Sequence, residues 1–518
     1  MNAFPWLSLL TALPVVGAGV VLVAGARSDR AARFLSVGFA VGALCIALLL
    51  WHGFDVNVGG MQLVEQHAWV PALHIQYHLG IDGLGLSMLL LSAIVTLISL
   101  GASWKIEDRV PLYFALILLV EACLFGAFTA LNFIHWFTFW ELCLIPAFFL
   151  IKIWGGPRRT PAATQFLVYT MAGSVAMLLS FLAMYLAANT FEFEELATIA
   201  QSGRLLPSLA ASSSWMHLTP EHLGLVIFAG VFLGFAVKVP VIPFHTWLPD
   251  TYAEAPTGTT ILLTGAMSKM GLYGFLRILV PIFAPQMQSV LTPLLWMAVA
   301  TVVLGSLSAM AQTDLKRIFA YSSINHLGYC LLGIFAAVRY AGSDAQLLTQ
   351  RAAALSGTML QMFNHGITAA TIFWFVAILE TRSGGARELS DFGGLRRNAP
   401  VLAGMMGIAL FSSLGLPGLN GFISEFLIFK GAFPLATWAT ALCTIGLLIT
   451  AVFILNVIQR VFSGPLQERH SNFLDLSGKE QMLLAPAIAL MFLLGLDPQI
   501  LLSHLNATVL QLTNTIKF

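Results

Sequence analysis

Runs of about twenty predominantly apolar residues recur from one end of this chain to the other, and that length is what an α-helix needs to cross a hydrocarbon core. Such windows lie near 5–25, 31–52, 79–102, 111–130, 132–153, 165–188, 222–249 and 256–279. Further windows lie near 287–311, 316–338, 349–380, 399–433, 435–463 and 482–515. In a membrane only internally bonded elements span, so the pattern predicts an all-α polytopic membrane protein of about fourteen transmembrane helices. The last window is the weakest, because Gly495 to Pro498 interrupts it. The opening MNAFPWLSLL lacks a basic n-region and reads as part of the first span rather than as a cleaved signal. The longest polar connection in the second quarter, 190–220, carries Glu192, Glu194, Glu195 and a serine-rich run.

Only 9% of the residues are charged, against about 25% in soluble domains. No soluble domain is legible, so the function is expected inside the membrane. A net charge of +1 with no basic patch argues against a nucleic-acid partner. Cys45, Cys123, Cys143, Cys330 and Cys443 lie far apart without C-x-x-C spacing. They read as small apolar fillers within helices, not as an iron–sulfur or haem motif.

The basic residues give an orientation. Arg27, Arg30 and Arg33 fall in the first loop, Lys105 and Arg109 in the third, and Lys152, Arg158 and Arg159 in the fifth. Lys316 and Arg317 follow in the ninth, Arg382, Arg387, Arg396 and Arg397 in the eleventh, and Arg460, Arg469 and Lys479 in the thirteenth. Even loops hold Arg204, Arg339, Arg351 and Lys430. A ratio of about four to one places the odd loops in the cytoplasm and both termini on the periplasmic side of a bacterial inner membrane.

Against this background one charge stands out. Lys238 lies in LGLVIFAGVFLGFAVKVPVIPFHTWLPD, preceded by an uncharged apolar run and followed by Pro240, Pro243 and Pro249. A charge at the bilayer centre costs about 2.5–3.5 kcal/mol on insertion scales. A broken helix at that depth is tolerated only inside protein or beside a wet cavity. Charge and break together point to a route for ions; the plainer alternative is a lysine snorkelling from a helix end.

Other ionisable residues share this depth: Glu141 in FIHWFTFWELCLIPAFFLIKIW, Lys269 in TTILLTGAMSKMGLYGFLRILV, Glu425 in GLPGLNGFISEFLIFKGAF and Glu121 in LILLVEACLFGAF. A carboxylate and an ammonium in low dielectric favour each other's charged forms while desolvation opposes both. Such groups are poised to change protonation, though a static ion pair holding two helices together is the alternative, most evenly balanced for Glu121. His326 and His365 also lie inside spans, and each reads either as a satisfied buried imidazole or as a proton-transfer group. His135 and His245 carry weaker signals. Ser322, Ser323, Asn325, Asn364 and Thr368 thicken the polar line around the two central histidines, as a hydrated path or as interhelical hydrogen bonding would.

A second break is expected in LFSSLGLPGLNGFISEF, where Pro417 stands among Gly415, Gly418 and Gly421 just before Glu425. Discontinuous helices 7 and 12, five spans apart, predict two inverted five-helix repeats. The resulting division is 1–110 for helices 1–3, 111–280 for the first repeat (helices 4–8), 287–463 for the second (helices 9–13), and 464–518 for the last loop and helix 14.

The segments FTFWELCLIPAFFLI, FAVKVPVIPFHTWLPDTYAEAPT, AQTDLKRIFAYSSINHLGY and LGLPGLNGFISEFLIFKGAF closely resemble the antiporter-like proton-channel subunits of respiratory complex I, NADH:quinone oxidoreductase, over nearly the whole chain. The resemblance implies that Glu141 pairs with Lys238, that Lys269 hands on to the central axis, and that His326 and His365 form the polar tenth and eleventh helices. Two of the family's three large pumping subunits carry a lysine in the twelfth helix and one carries a glutamate in a GF-x-x-EF setting; GFISEF, with Glu425, matches the latter.

It further implies proton translocation coupled to electron transfer, with no cofactor in this chain. NADH, FMN, iron–sulfur clusters and quinone would belong to partner subunits. Expected partners are the other membrane-arm subunits, including two homologous antiporter-like subunits, and the lipid bilayer. Related alternatives are a multisubunit cation/proton antiporter and the membrane arm of an energy-converting hydrogenase.

Overall fold

A computed structural model describes residues 4–212, 217–340 and 344–516. Among these residues 13 helices are long and apolar enough to cross a membrane. They are α1 (Trp6–Gly25), α2 (Asp29–Gly53), α3 (Gly83–Ala102), α4 (Val110–Thr129), α5 (Phe133–Trp154), α6 (Arg159–Ala188), α7a (Pro220–Lys238) and α8 (Thr257–Ser289). The series continues with α9 (Leu291–Met310), α10 (Leu315–Arg339), α11 (Ala345–Arg382), α13 (Thr437–Phe462) and α14 (Gly478–Leu496). The twelfth is split into α12a (Pro400–Leu414) and α12b (Asn420–Leu435), and α7b (Trp247–Glu254) continues the seventh beyond its break. The chain is an integral membrane protein.

Burial separates the helices into an inner row and a flank. In α10 and α11, 94% of the spanning window is buried within the chain, against 28% in α2. The inner helices α3, α4, α8, α10 and α11 carry the polar residues, whereas α1, α2, α6, α13 and α14 turn apolar faces outward. Sequence hydropathy alone does not separate the two groups, because lipid and protein interior are equally apolar solvents.

One expectation about boundaries changes. The window 482–515 is not one helix: α14 ends at Leu496, and a separate helix α15 (Gln499–Thr515) follows Pro498. Pro498 has no N–H to continue α14, and Gly495 packs onto the backbone of Gly418 and Leu419 at the break of helix 12. The 190–220 connection holds two short helices, Phe193–Gln201 and Leu205–Ser212; the serine-rich run continues into 213–216, outside the described residues.

The odd-numbered loops all meet at one end. Arg33 bonds the Ile106 carbonyl (2.7 Å) and Trp154 bonds the Asp108 carbonyl (2.7 Å). Arg158 approaches Glu254 (3.7 Å), Arg317 pairs with Asp250 (2.5 Å), Arg387 with Asp314 (3.1 Å) and Arg382 with Glu480 (2.5 Å). This chain of contacts joins loops 1, 3, 5, 7, 9, 11 and 13, so the basic residues share one rim. At the opposite rim a β-hairpin, β1 (Gln62–Val70) with β2 (Ile75–Ile81), covers the α4–α5 turn through the Leu131 N–H to His78 carbonyl bond (2.9 Å). His78 there meets Glu192 (2.6 Å), whose other oxygen accepts from Asn132 (2.6 Å).

Candidate functional site

The seventh helix stops on Lys238 itself. Residues 239–246 are non-helical, and Pro240 and Pro243 supply no N–H. The backbone groups freed by the break find partners. Val239 N–H donates to Phe235 O (2.8 Å), Val241 N–H to Ala236 O (2.9 Å), and Ile242 N–H to the Thr301 hydroxyl of α9 (3.0 Å). The Trp247 indole donates to the Val237 carbonyl (3.0 Å). The break is therefore a built feature with nearly complete hydrogen bonding, as backbone in a membrane interior requires.

Lys238 is buried, and its Nζ lies 4.8 Å from the centre of the Trp140 ring. Within the described residues Nζ has no hydrogen-bond partner, and neither has Oε1 of half-buried Glu141. Glu141 is near enough for its charge to reach Lys238, yet no direct ion pair joins them. Pro146 explains the placement: it removes the donor for the Leu142 carbonyl, and α5 loosens at Cys143, just after Glu141. Gly271 of α8 lets the end of α7a approach closely, since a Cβ there would stand 2.5 Å from a Val239 methyl. The break thus rests against α8 two residues beyond Lys269.

From Lys269 a polar line crosses the chain. The Lys269 ammonium reaches the Thr264 carbonyl (2.6 Å) and His365 Nδ1 (2.8 Å). Two π-helical turns, Leu263–Met267 and Phe275–Leu279, flank the short α-helical stretch Ser268–Gly274 that holds Lys269. Such wide turns release backbone carbonyls from the ladder, and the Thr264 carbonyl is one that the lysine takes. The rings of His365 and His326 lie 5.4 Å apart, centre to centre. His326 Nδ1 meets Glu425 Oε1 (3.0 Å), and its Nε2 meets the Ser413 hydroxyl (3.0 Å).

A cavity of about 20 Å³ lies among His326, His365, Ser322, Thr368 and Glu425. That is room for one water, which needs roughly 10–15 Å³ on this measure. The arrangement can pass a proton: each neighbour in the line both gives and accepts one.

The break of helix 12 holds Glu425 in place. Gly415 ends α12a with φ +82°, a conformation glycine adopts freely, and a Cβ there would stand 3.0 Å from Glu425 Oε2 and press on the carboxylate. Asn364 and Asn420 exchange side-chain-to-carbonyl bonds across α11 and α12b (2.7 and 3.3 Å), and Thr368 meets Ser412 (3.1 Å).

Not every predicted residue joins the line. Asn325 turns to Thr450 of α13 (2.8 Å), away from the histidines. His135 is buried among aromatic rings, 4.9 Å from Tyr77, and His245 lies half-buried in the helix 7 break. Ser323 meets Thr264 (3.1 Å), bracing the lysine's carbonyl partner. Glu121 is fully buried in α4 and makes no hydrogen bond to the line among the described residues. Gln361, 3.4 Å from Glu425, and Ser413 were missed. Gln361 stands one turn before His365, a signal the i, i+4 spacing carries. No cluster of three or more His, Cys, Asp or Glu side chains is placed to hold a metal among the described residues.

Residues 130–450 match the family model described as NADH:quinone oxidoreductase/Mrp antiporter, TM. The chain belongs to that family. Among its members, a relative named NADH-quinone oxidoreductase subunit M from Rhodobacter capsulatus is 35% identical, over 98% of this chain and 96% of the relative. A relative of the same name from Mycobacterium tuberculosis is 32% identical, over 100% of this chain and 95% of its own length. A chain of respiratory complex I from Thermus thermophilus superposes with a TM-score of 0.84 at 26% identity, covering 99% of this chain and 100% of that one. A chain of the Mrp complex from Dietzia superposes with a TM-score of 0.82 at 21% identity, over 99% of this chain and 98% of that one, a likeness of fold. Glu425, in GFISEF, stands at the far end of the line from Lys269.

Proposed function

We propose that this chain is the M-type membrane-arm subunit of a proton-pumping NADH:quinone oxidoreductase and moves protons along Lys269, His365, His326 and Glu425. The observation that carries the reading is this polar line, interrupted only by the one-water cavity between His365 and His326, which joins the helix that abuts the first break to the helix that contains the second. NADH oxidation and quinone reduction belong, on this reading, to partner subunits, which hold the FMN, the iron–sulfur clusters and the quinone. The partners include two homologous antiporter-like subunits. The basic rim faces the cytoplasm and both termini the periplasm of the inner membrane. Helices 4–8 and 9–13 form two inverted units around the two breaks.

Lys238 is the switch. Among the described residues its ammonium has no hydrogen-bonding partner, with Glu141 nearby but unjoined. A change in that separation alters the field at the α7–α8 contact and so the proton affinity of Lys269. The Lys269 proton then passes to His365 Nδ1, across the one-water gap to His326, and from His326 Nδ1 to Glu425 Oε1. Glu425 releases it to the positive side. Moving one charge against 100 mV costs about 2.3 kcal/mol. Affinity changes of one to two pKa units, about 1.4 kcal/mol each, reach that scale.

The test uses the assembled complex in closed vesicles. Lys238→Ala and Glu141→Ala are expected to abolish NADH-driven acidification and to depress quinone reduction, while the complex still assembles. Wild-type pumping by either assembled variant contradicts the reading. The alternative of a cation/proton antiporter, to which the Mrp-like fold also belongs, predicts sodium- or potassium-driven proton exchange without NADH.

A further inference from the structure

Glu121 lies outside the line described above, yet it is a fully buried carboxylate of α4 with neither oxygen hydrogen-bonded among the described residues. The Thr96 hydroxyl of α3 is the polar side chain beside it. A buried ionic staple looks different in this same protein: Asp82 and Arg277 meet at 2.5 Å, and Asp82 also caps α3.

Thr96 belongs to a stripe. Ser92, Thr96, Ser99 and Ser103 follow one another at spacings of four, three and four, so they share one face of α3. All are buried. Thr96 donates to the Ser92 carbonyl (2.9 Å), Ser99 to the Gly258 carbonyl at the start of α8 (2.7 Å), and Ser103 to the Ser99 carbonyl (2.8 Å). Ser103 also meets the Tyr113 hydroxyl (3.0 Å), directly beneath the basic rim that begins at Lys105. Beside them the buried Thr259 hydroxyl has no partner among the described residues. Gly258 permits this crowding, since a Cβ there would stand 1.9 Å from the Ser103 hydroxyl.

The Tyr273 hydroxyl donates to the Phe128 carbonyl (3.1 Å), which puts these two positions of α8 and α4 at similar depth. Both helices run in the same direction, away from the basic rim. At about 1.5 Å per residue, Glu121 lies ~10 Å and Lys269 ~6 Å nearer that rim, so Glu121 precedes Lys269 by only about 4–5 Å along the axis. The stretch Ser268–Gly274 packs against α4.

We propose that Glu121 is the proton-loading residue for Lys269, supplied from the basic rim along the polar face that Tyr113, Ser103, Ser99 and Thr96 line. This rests on the proposed pumping function and adds its uptake branch. A proton carried by water along this hydroxyl-lined face binds a Glu121 carboxylate oxygen, giving the neutral acid. When Lys269 has lost its proton to His365, the acid transfers its own to the Lys269 amine and becomes carboxylate again. No electron or leaving group is involved. A carboxyl without fixed donors suits the task, because its neutral form needs no counter-charge and its charged form lasts only until the next proton arrives.

The experiment compares Glu121→Gln, Glu121→Asp, Thr96→Val and Lys269→Ala in the assembled complex, in vesicles energised with NADH and a soluble quinone, with acidification as the readout. Glu121→Gln, which keeps the shape but cannot carry the proton, is expected to pump at least tenfold more slowly. Glu121→Asp is expected to retain most of the rate, and Thr96→Val to slow it several-fold. Wild-type pumping by Glu121→Gln beside an inactive Lys269→Ala overturns the loading role alone. Wild-type pumping by both overturns the proposed function with it. Should Glu121→Gln fail to assemble, Thr96→Val decides: slowed pumping supports the route, and an unchanged rate overturns it.

Discussion

Lys269→Ala is expected to lower proton pumping by roughly tenfold or more, a barrier increase of about 1.4 kcal/mol or above, without preventing assembly. Among the described residues the ammonium bridges the Thr264 carbonyl and His365 Nδ1, at 2.6 and 2.8 Å. Truncation leaves His365 with no donor on the α8 side and opens a gap that a proton crosses only through added water. Helix α8 itself should survive, since alanine suits the α-helical stretch between the two π-helical turns. Vesicle acidification measured beside quinone reduction checks the point. A variant that assembles and pumps normally removes Lys269 from the path.

The second large effect concerns stability. Asp82→Ala is expected to cost about 3–5 kcal/mol, the scale for breaking a buried ion pair by removing one partner. Asp82 and Arg277 meet at 2.5 Å, and Asp82 also accepts from the Gly85 N–H at the start of α3 (2.9 Å). Arg277 extends the link, donating to the Tyr273 hydroxyl (3.3 Å), which in turn bonds the Phe128 carbonyl. Helices α3, α4 and α8 are thereby pinned at the rim opposite the basic loops. Removing Asp82 strands the guanidinium. The double variant Asp82→Ala with Arg277→Met is expected to lose less than the sum of the two singles, because no uncompensated charge remains. Thermal denaturation of the purified complex, followed for the four members of the cycle, measures this; additive losses would contradict the coupling.

The fold was legible wherever a single local signal governs it. Apolar runs fixed the spans, and prolines after Lys238 and around Pro417 marked both breaks, because a missing N–H interrupts a helix whatever surrounds it. The division of α14 from α15 follows from Pro498 together with Gly495, whose packing on Gly418 depends on a distant segment. In the site, Lys269, His326, His365 and Glu425 declared themselves as charged or titratable residues in apolar runs. Ser413 did not, since a serine near a span's end is unremarkable until His326 is seen to meet it. Arg277 and Asp82 were illegible for a related reason. Each looks like a rim residue in its own segment, and only the packing of α3 on α8 makes them a pair. The spacing between Glu141 and Lys238 was equally beyond the sequence, because it depends on how α5 loosens at Cys143.

On the proposed route the proton leaves through Glu425 after passing His326. Initial acidification rates, taken in energised vesicles for Glu425→Ala and Glu425→Asp, test it most directly. The 3.0 Å contact to His326 predicts a severe loss for alanine and a mild one for aspartate, which keeps a carboxylate on a side chain one methylene shorter. Equal and negligible effects of both substitutions would contradict the account.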